Sequence, residues 1–190
     1  MKSDILLIHG AGDGAYEWTL PRITPIHELY DHYRFHFPRM PKPDAPSYQK
    51  WSKQLKEELM HIDDQAILVG HSLGGSVLLK YFSENDESIP DDKYKALFLV
   101  STPFWGENGW DGNEFELRSD FAKHLGMFSN IYILHNEDDD VVPFSHHKIY
   151  LDKIAGAVAI SFKSGEHLAT ENLASIVDVV RDLEKKQVGV

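Results

Sequence analysis

Short apolar runs alternate with helically spaced segments along this 190-residue chain, and the alternation predicts a three-layer α/β domain of about six parallel strands. Two further observations support that class. The apolar runs are apolar throughout, as strands buried on both faces of a parallel sheet are. The composition, 42% hydrophobic and 26% charged, is that of an ordinary globule with enough residues for a core that needs no staples. The length favours one domain spanning residues 1–190.

Ile5–Ile8 reads as the first strand, ending in the glycine loop His9-Gly10-Ala11-Gly12-Asp13-Gly14. Pro21–Tyr33 carries Ile23, Ile26, Leu29, Tyr30 and Tyr33 at helical spacing. Arg34–Phe37 is the second strand, stopped by Pro38, and Pro38–Pro46 reads as a rigid surface loop. Ser47–Ile62 places Trp51, Leu55, Leu59 and Ile62 on one helical face. Ala66–Val69 is the third strand and Ser76–Phe82 a helix; Ala96–Val100, Ile131–Leu134 and Ala157–Ser161 supply three more strands. Helices fill Ser145–Ile154 and Thr170–Lys186, the latter with Leu173, Ile176, Val177, Val180 and Leu183 as an apolar stripe. Pro103–Phe128 is the longest stretch without a strand and holds Phe104, Trp105, Trp110, Phe115 and Phe121. It is either a small cap over a pocket (residues 103–128) or a loop and helix packed on the sheet.

Composition excludes several functions. With no cysteine, disulfides, thiolate metal sites, iron–sulfur clusters and a cysteine nucleophile are ruled out. A net charge of −11 repels phosphate backbones, which argues against nucleic acid as a partner. No apolar run approaches the roughly 20 residues that span a bilayer, so no membrane role is expected. Met1-Lys2-Ser3-Asp4-Ile5 leads into too short an apolar segment for a signal peptide, and a reduced, cytoplasmic setting is the expectation.

Gly70-His71-Ser72-Leu73-Gly74-Gly75 contains G-x-S-x-G between a strand and a helix. A serine at so tight a turn is held strained with its hydroxyl outward, and the residues two before and two after it must be small. Gly70 and Gly74 meet that need. The turn opens a helix, so the Leu73 N–H faces any oxyanion formed at Ser72. A serine needs a base, and histidine titrates near neutrality. Of the eleven histidines, His167 in Ser164-Gly165-Glu166-His167 lies after the sixth strand, on the rim that carries Ser72. His146 and His147 read as solvated, while His71 either packs beneath the nucleophile or lines the pocket. The orienting acid comes from Glu137-Asp138-Asp139-Asp140-Val141-Val142-Pro143. The Asp-x-x-Val-Pro spacing favours Asp139, with Asp138 and Asp140 as alternatives. The same acidic run would otherwise be a calcium site or a solvated turn, but no spaced ligand loop with a central glycine follows it.

The loop after the first strand admits two readings. His9-Gly10 supplies a second oxyanion donor, the N–H of Ala11, in hydrolases with this strand–serine–helix turn. Alternatively Gly10, Gly12 and Ala15 fit the dinucleotide pattern G-x-G-x-x-G/A. That reading wants an immediate helix, which Pro21 and Pro25 disfavour, and it leaves Ser72, Asp139 and His167 unexplained.

Assembled, these residues resemble the α/β-hydrolase superfamily. More narrowly the chain is similar to small serine hydrolases of the retinoblastoma-binding-protein-nine type and their YdeN-like bacterial relatives. The resemblance rests on His9-Gly10, Met40-Pro41-Lys42-Pro43, Gly70-His71-Ser72-Leu73-Gly74, Leu99-Val100-Ser101, Asp138 to Phe144 and Gly165-Glu166-His167. It implies a sheet of order 2-1-3-4-5-6 without a large cap domain. It also implies an ester- or acyl-cleaving serine hydrolase of the carboxylesterase kind that uses no cofactor or metal. Glu166 departs from the small residue common before the histidine and adds a carboxylate to the site. Trp18, Phe104 and Trp105 follow strand ends on the same rim and are either pocket walls for a small-molecule acyl substrate or core residues. The competing expectation is an interaction protein that keeps this fold without turnover.

Overall fold

The computed structural model describes residues 2–107, 110–111 and 114–188. Strands β1 (Ser3–Ile8), β2 (Tyr33–His36), β3 (Ile67–His71), β4 (Ala96–Val100), β5 (Ile131–Asn136) and β6 (Val158–Phe162) form one sheet. Its order is β2-β1-β3-β4-β5-β6 and every pairing is parallel. The helices are α1 (Ala15–Thr19), α2 (Tyr48–Leu59), α3 (Leu73–Glu84), α4 (Ser145–Lys153) and α5 (Thr170–Val188).

Alternation along the strands builds two cores rather than one wet and one dry face. Leu6, Ile8, Leu68, Leu97, Leu99 and Ile133 point to one side, where Trp51 and Leu55 of α2, Val77, Leu78 and Phe82 of α3 and Tyr150 of α4 cover them. Ile5, Leu7, Ile67, Val69, Phe98, Val100 and Leu134 point to the other. There Ile23, Ile26 and Leu29 pack with Leu173, Ile176, Val177 and Val180 of α5. The three layers expected from the sequence are therefore present.

The segment between β1 and β2 departs from the expected helix over Pro21–Tyr33. It is one turn of α-helix, α1, continued as a 3-10 helix over Leu20–Leu29. Pro21 and Pro25 each lack an N–H for the α-helical ladder, and the tighter winding results. Its apolar spacing still buries the expected residues. In the 103–128 stretch, Phe104, Phe115, Phe121, Leu125, Met127 and Phe128 join the core above α3, and a 3-10 turn forms at Phe121–His124. Residues 108–109 and 112–113 of that stretch lie outside the description.

At the amino end of the sheet, Asp4 is a fully buried carboxylate. The Arg34 guanidinium donates to both its oxygens, at 2.8 and 2.7 Å. His36 Nε2 lies 2.8 Å from one oxygen, and the Asp63 N–H donates to the other at 2.8 Å. Burial pushes this carboxyl upward, but the donors outweigh it and hold it down at about 2.

Strand order reverses between β1 and β3, since the chain passes to β2 on one side of β1 and returns to β3 on the other. Loops leaving the carboxyl ends of β1 and β3 thus diverge and leave a crevice. The candidate site occupies it.

Candidate active site

Ser72 sits between β3 and α3 with φ 52° and ψ −124°, a conformation that costs a non-glycine residue on the order of 1–3 kcal/mol. The surroundings explain how so tight a turn is accommodated. A Cβ on Gly74 would lie 2.2 Å from the Ile8 carbonyl oxygen, and one on Gly70 would lie 2.5 Å from the Gly75 Cα. Neither position has room for a side chain. The Ser72 N–H donates to the Val100 carbonyl at 2.8 Å, which ties the turn to the end of β4. Leu73 is the first residue of α3, so its N–H precedes the helix's own hydrogen-bond ladder.

The loop after β1 is fixed by His9. Its Nδ1 lies 2.7 Å from the Gly10 carbonyl oxygen, and its Nε2 accepts the Met40 N–H at 3.0 Å. An acceptor at one nitrogen and a donor at the other define a neutral Nδ1–H tautomer. Burial favours the same neutral form. The Gly12 N–H donates to Pro43 at 2.7 Å, so the Met-Pro-x-Pro stretch braces this loop. Gly10 and Ala11 line the crevice opposite Ser72 and Leu73.

Asp139 follows β5 with its side chain fully buried. Its Oδ1 accepts the N–H groups of Val141 and Val142 at 2.9 and 2.8 Å. Both oxygens lie 3.0 Å from Nδ1 of His167. Burial raises the Asp139 carboxyl, but hydrogen bonds from His135 and His167, the His167 charge and the Val142 amide outweigh it and hold it well below the carboxylate range. Asp138 instead accepts the Glu166 N–H at 3.2 Å, and Asp140 lies exposed on the crevice wall. Of the three aspartates, only Asp139 bonds His167 among the described contacts.

The crevice holds about 630 Å³. Ser72, His167, Ala11, Leu73, His71, Trp18 and Trp105 all line it. His71 is 3% exposed and buried, its Nε2 is 3.3 Å from the His167 carbonyl, and Trp18 stacks on its ring with centroids 5.9 Å apart. Burial and the neighbouring His167 hold His71 neutral.

Two expectations need correction. Phe104 does not line this crevice. It is buried against Tyr150 and Phe121, with Lys153 over its ring, because its backbone N–H is anchored to His146 Nδ1 at 2.8 Å. His146 and His147 are not solvated but buried, the first holding Phe104 and the second stacked on Phe144 at 5.0 Å.

The sequence reading missed Pro46, Trp110, Phe115 and Thr19, which also line the crevice. Trp110 and Phe115 stood in the aromatic stretch singled out from the sequence; Pro46 and Thr19 carried no signal. Among the described residues no group of three or more His, Cys, Asp or Glu side chains is arranged to hold a metal ion, the acidic run at Asp138–Asp140 included. No described helix is long and apolar enough to cross a membrane.

Comparison with known proteins agrees with this architecture. A family model described as the alpha/beta hydrolase family matches residues 5–129. No curated protein sequence matches. Among solved structures, the chain is similar to the ydeN gene product from B. subtilis, with TM-score 0.75 and 22% identity over 97% of this chain and 100% of that one. It is also similar to Est1E from Butyrivibrio proteoclasticus with ferulic acid bound (TM-score 0.69, 14% identity, 99% of this chain and 90% of that one). A third likeness is to a pyrethroid hydrolase from Sphingobium faniae JZ-2 (TM-score 0.64, 16% identity, 96% and 98%). At such identities the likeness is one of fold.

Proposed function

We propose that this chain, which belongs to the alpha/beta hydrolase family, is a serine hydrolase that cleaves carboxylic esters through an acyl-enzyme. One observation carries the reading. The Nδ1 of His167 rests on a buried carboxylate, Asp139, while the imidazole lines the same crevice as Ser72. With Nδ1 committed to Asp139, Nε2 is the nitrogen left to take a proton.

In the proposed reaction the Ser72 hydroxyl attacks the ester carbonyl as His167 Nε2 takes its proton. The carbonyl π electrons move onto oxygen, where the N–H groups of Leu73 and Ala11 receive the charge. The tetrahedral intermediate collapses, the C–O bond to the alcohol breaks, and the imidazolium protonates the departing oxygen. Water then repeats the sequence on the acyl-enzyme, releasing the acid and free Ser72. Asp139 stays ionised throughout and holds the imidazole in place.

The crevice walls indicate the substrate. Trp18, Trp105, Trp110 and Phe115 offer flat apolar surface, while Asp13, Asp140 and Glu166 are the charged side chains among its described lining residues. An uncharged or cationic ester with a flat apolar group suits these walls better than an anionic one.

Fluorophosphonate labelling tests the reading. Wild-type protein is expected to label covalently and Ser72→Ala not at all; a folded wild type that resists labelling sinks the proposal and favours a non-catalytic interaction protein.

A further inference from the structure

The mechanism above leaves one buried histidine beside the acid without a part. His135, near the end of β5, has a side chain 1% exposed. Its Nε2 is 2.9 Å from the Val142 carbonyl oxygen and 3.3 Å from Asp139 Oδ2. Both neighbours are acceptors, so Nε2 carries the hydrogen, bonded to the Val142 carbonyl and set against Asp139 Oδ2. The two oxygens of Asp139 are served unequally without this contact. Oδ1 takes two backbone amides, whereas Oδ2 meets only His135 besides His167 among the described bonds.

We propose that His135 is a positioning residue for the catalytic acid, its Nε2–H fixing the plane of the Asp139 carboxylate and limiting how strongly Oδ2 draws on His167. The inference rests on the serine hydrolase reading. The geometry gives it content beyond packing. His135 bonds the carbonyl of Val142, and the Val142 amide bonds the other oxygen of the same carboxylate. The histidine thus closes a ring between β5, the Asp139 turn and the carboxylate. Titratable groups facing it are Asp139 and, on α4, His147, whose ring stands edge-on at 6.2 Å, with His146 beside that. Phe144 closes the remaining side at 5.7 Å. Burial pushes His146 and His147 toward their neutral forms, so Asp139 is the charge His135 meets.

The test compares wild type with His135→Phe, His135→Asn and His135→Gln on a neutral p-nitrophenyl ester, recording kcat and KM across pH. Phe keeps a ring in the site but has no donor, and the Asn amide falls short of Oδ2. Either is expected to lower kcat about tenfold with KM little changed, the scale of one lost hydrogen bond to a charged group. The acid limb of kcat/KM is expected to move up by about half a pH unit, because a carboxylate with one donor fewer binds the imidazolium more tightly. The Gln amide reaches the Nε2 position and restores both. The Asn variant serves where the Phe variant does not fold. Donorless variants with wild-type kcat and an unmoved acid limb overturn the role of His135. A wild type with neither labelling nor turnover overturns the hydrolase reading itself, and the two failures are distinct.

Discussion

Asp4 and Asp139 are both carboxylates with fully buried side chains, yet they stand at opposite ends of the sheet and are held in different ways. Asp4, in β1 at the amino end, is gripped by a permanent cation, the two-pronged Arg34, as well as His36 and an amide. Asp139, beyond β5 at the carboxyl end, meets backbone amides and two histidines among the described residues. A guanidinium never gives up its charge, so Asp4 is a finished ion pair. An imidazole takes on and loses a proton near neutrality, so the partners of Asp139 are not permanent cations. The contrast separates a buried acid closed into an ion pair from one that, on the proposed reading, serves chemistry.

Substitution of each acid divides the two roles most sharply. Asp139→Asn is expected to lower kcat by about 10⁴-fold while the fold persists, since the amide favours the wrong imidazole tautomer. Asp138→Asn and Asp140→Asn, measured beside it on the same ester, are expected to lose far less. If Asp139→Asn alone keeps its activity, the assignment of the acid is wrong. Asp4→Asn is expected to do the reverse. It removes charge-assisted bonds at about 2 kcal/mol in total, read as a lower Tm, while kcat/KM of the folded protein is retained. A loss of turnover at unchanged Tm in that variant would collapse the distinction.

Acid unfolding sharpens the same comparison. Asp4 titrates at about 2 in the folded chain against an ordinary value of 3.8. A lowered folded value means stability that is complete above about 4, is lost as pH falls from there to about 2, and is gone below. Asp4→Asn is therefore expected to show a flatter fall of Tm between pH 4 and 2 than wild type, by differential scanning calorimetry. Asp139, also held below the carboxylate range, contributes with the same sign.

The smallest expected effect concerns the crevice mouth. Exposed Asp13, Asp140 and Glu166 act through solvent, so a carboxylate-bearing ester is expected to react only several-fold more slowly than its neutral isostere. Added salt is expected to narrow that ratio, and equal rates at low salt would refute the charge preference.

Where the sequence spoke through local pattern it was legible. All six strands lie within about two residues of the runs read as apolar, and at the carboxyl rim β3 extends to His71 and β5 to Asn136. The serine turn was readable because its glycines answer a purely local steric demand. The 3-10 winding of Leu20–Leu29 was half legible, since the prolines that cause it had counted only against a long helix. What stayed hidden depends on distant packing. Pro46 reaches the crevice through the fold of the loop after β2, and His146 looks solvent-facing until Phe104 arrives to donate to it. His135 carries no local signal, and its contact with Asp139 depends on the turn after β5.

Three of the chain's four tryptophans, Trp18, Trp105 and Trp110, line the crevice, while the fourth, Trp51, is sealed in the core and donates to the Pro41 carbonyl at 2.8 Å. The molecule therefore carries its own optical probe. A ligand entering the crevice changes the solvent around three indoles at once, against a constant background from Trp51. Intrinsic tryptophan emission would follow occupancy by candidate esters in the Ser72→Ala protein, where binding is expected to proceed without turnover.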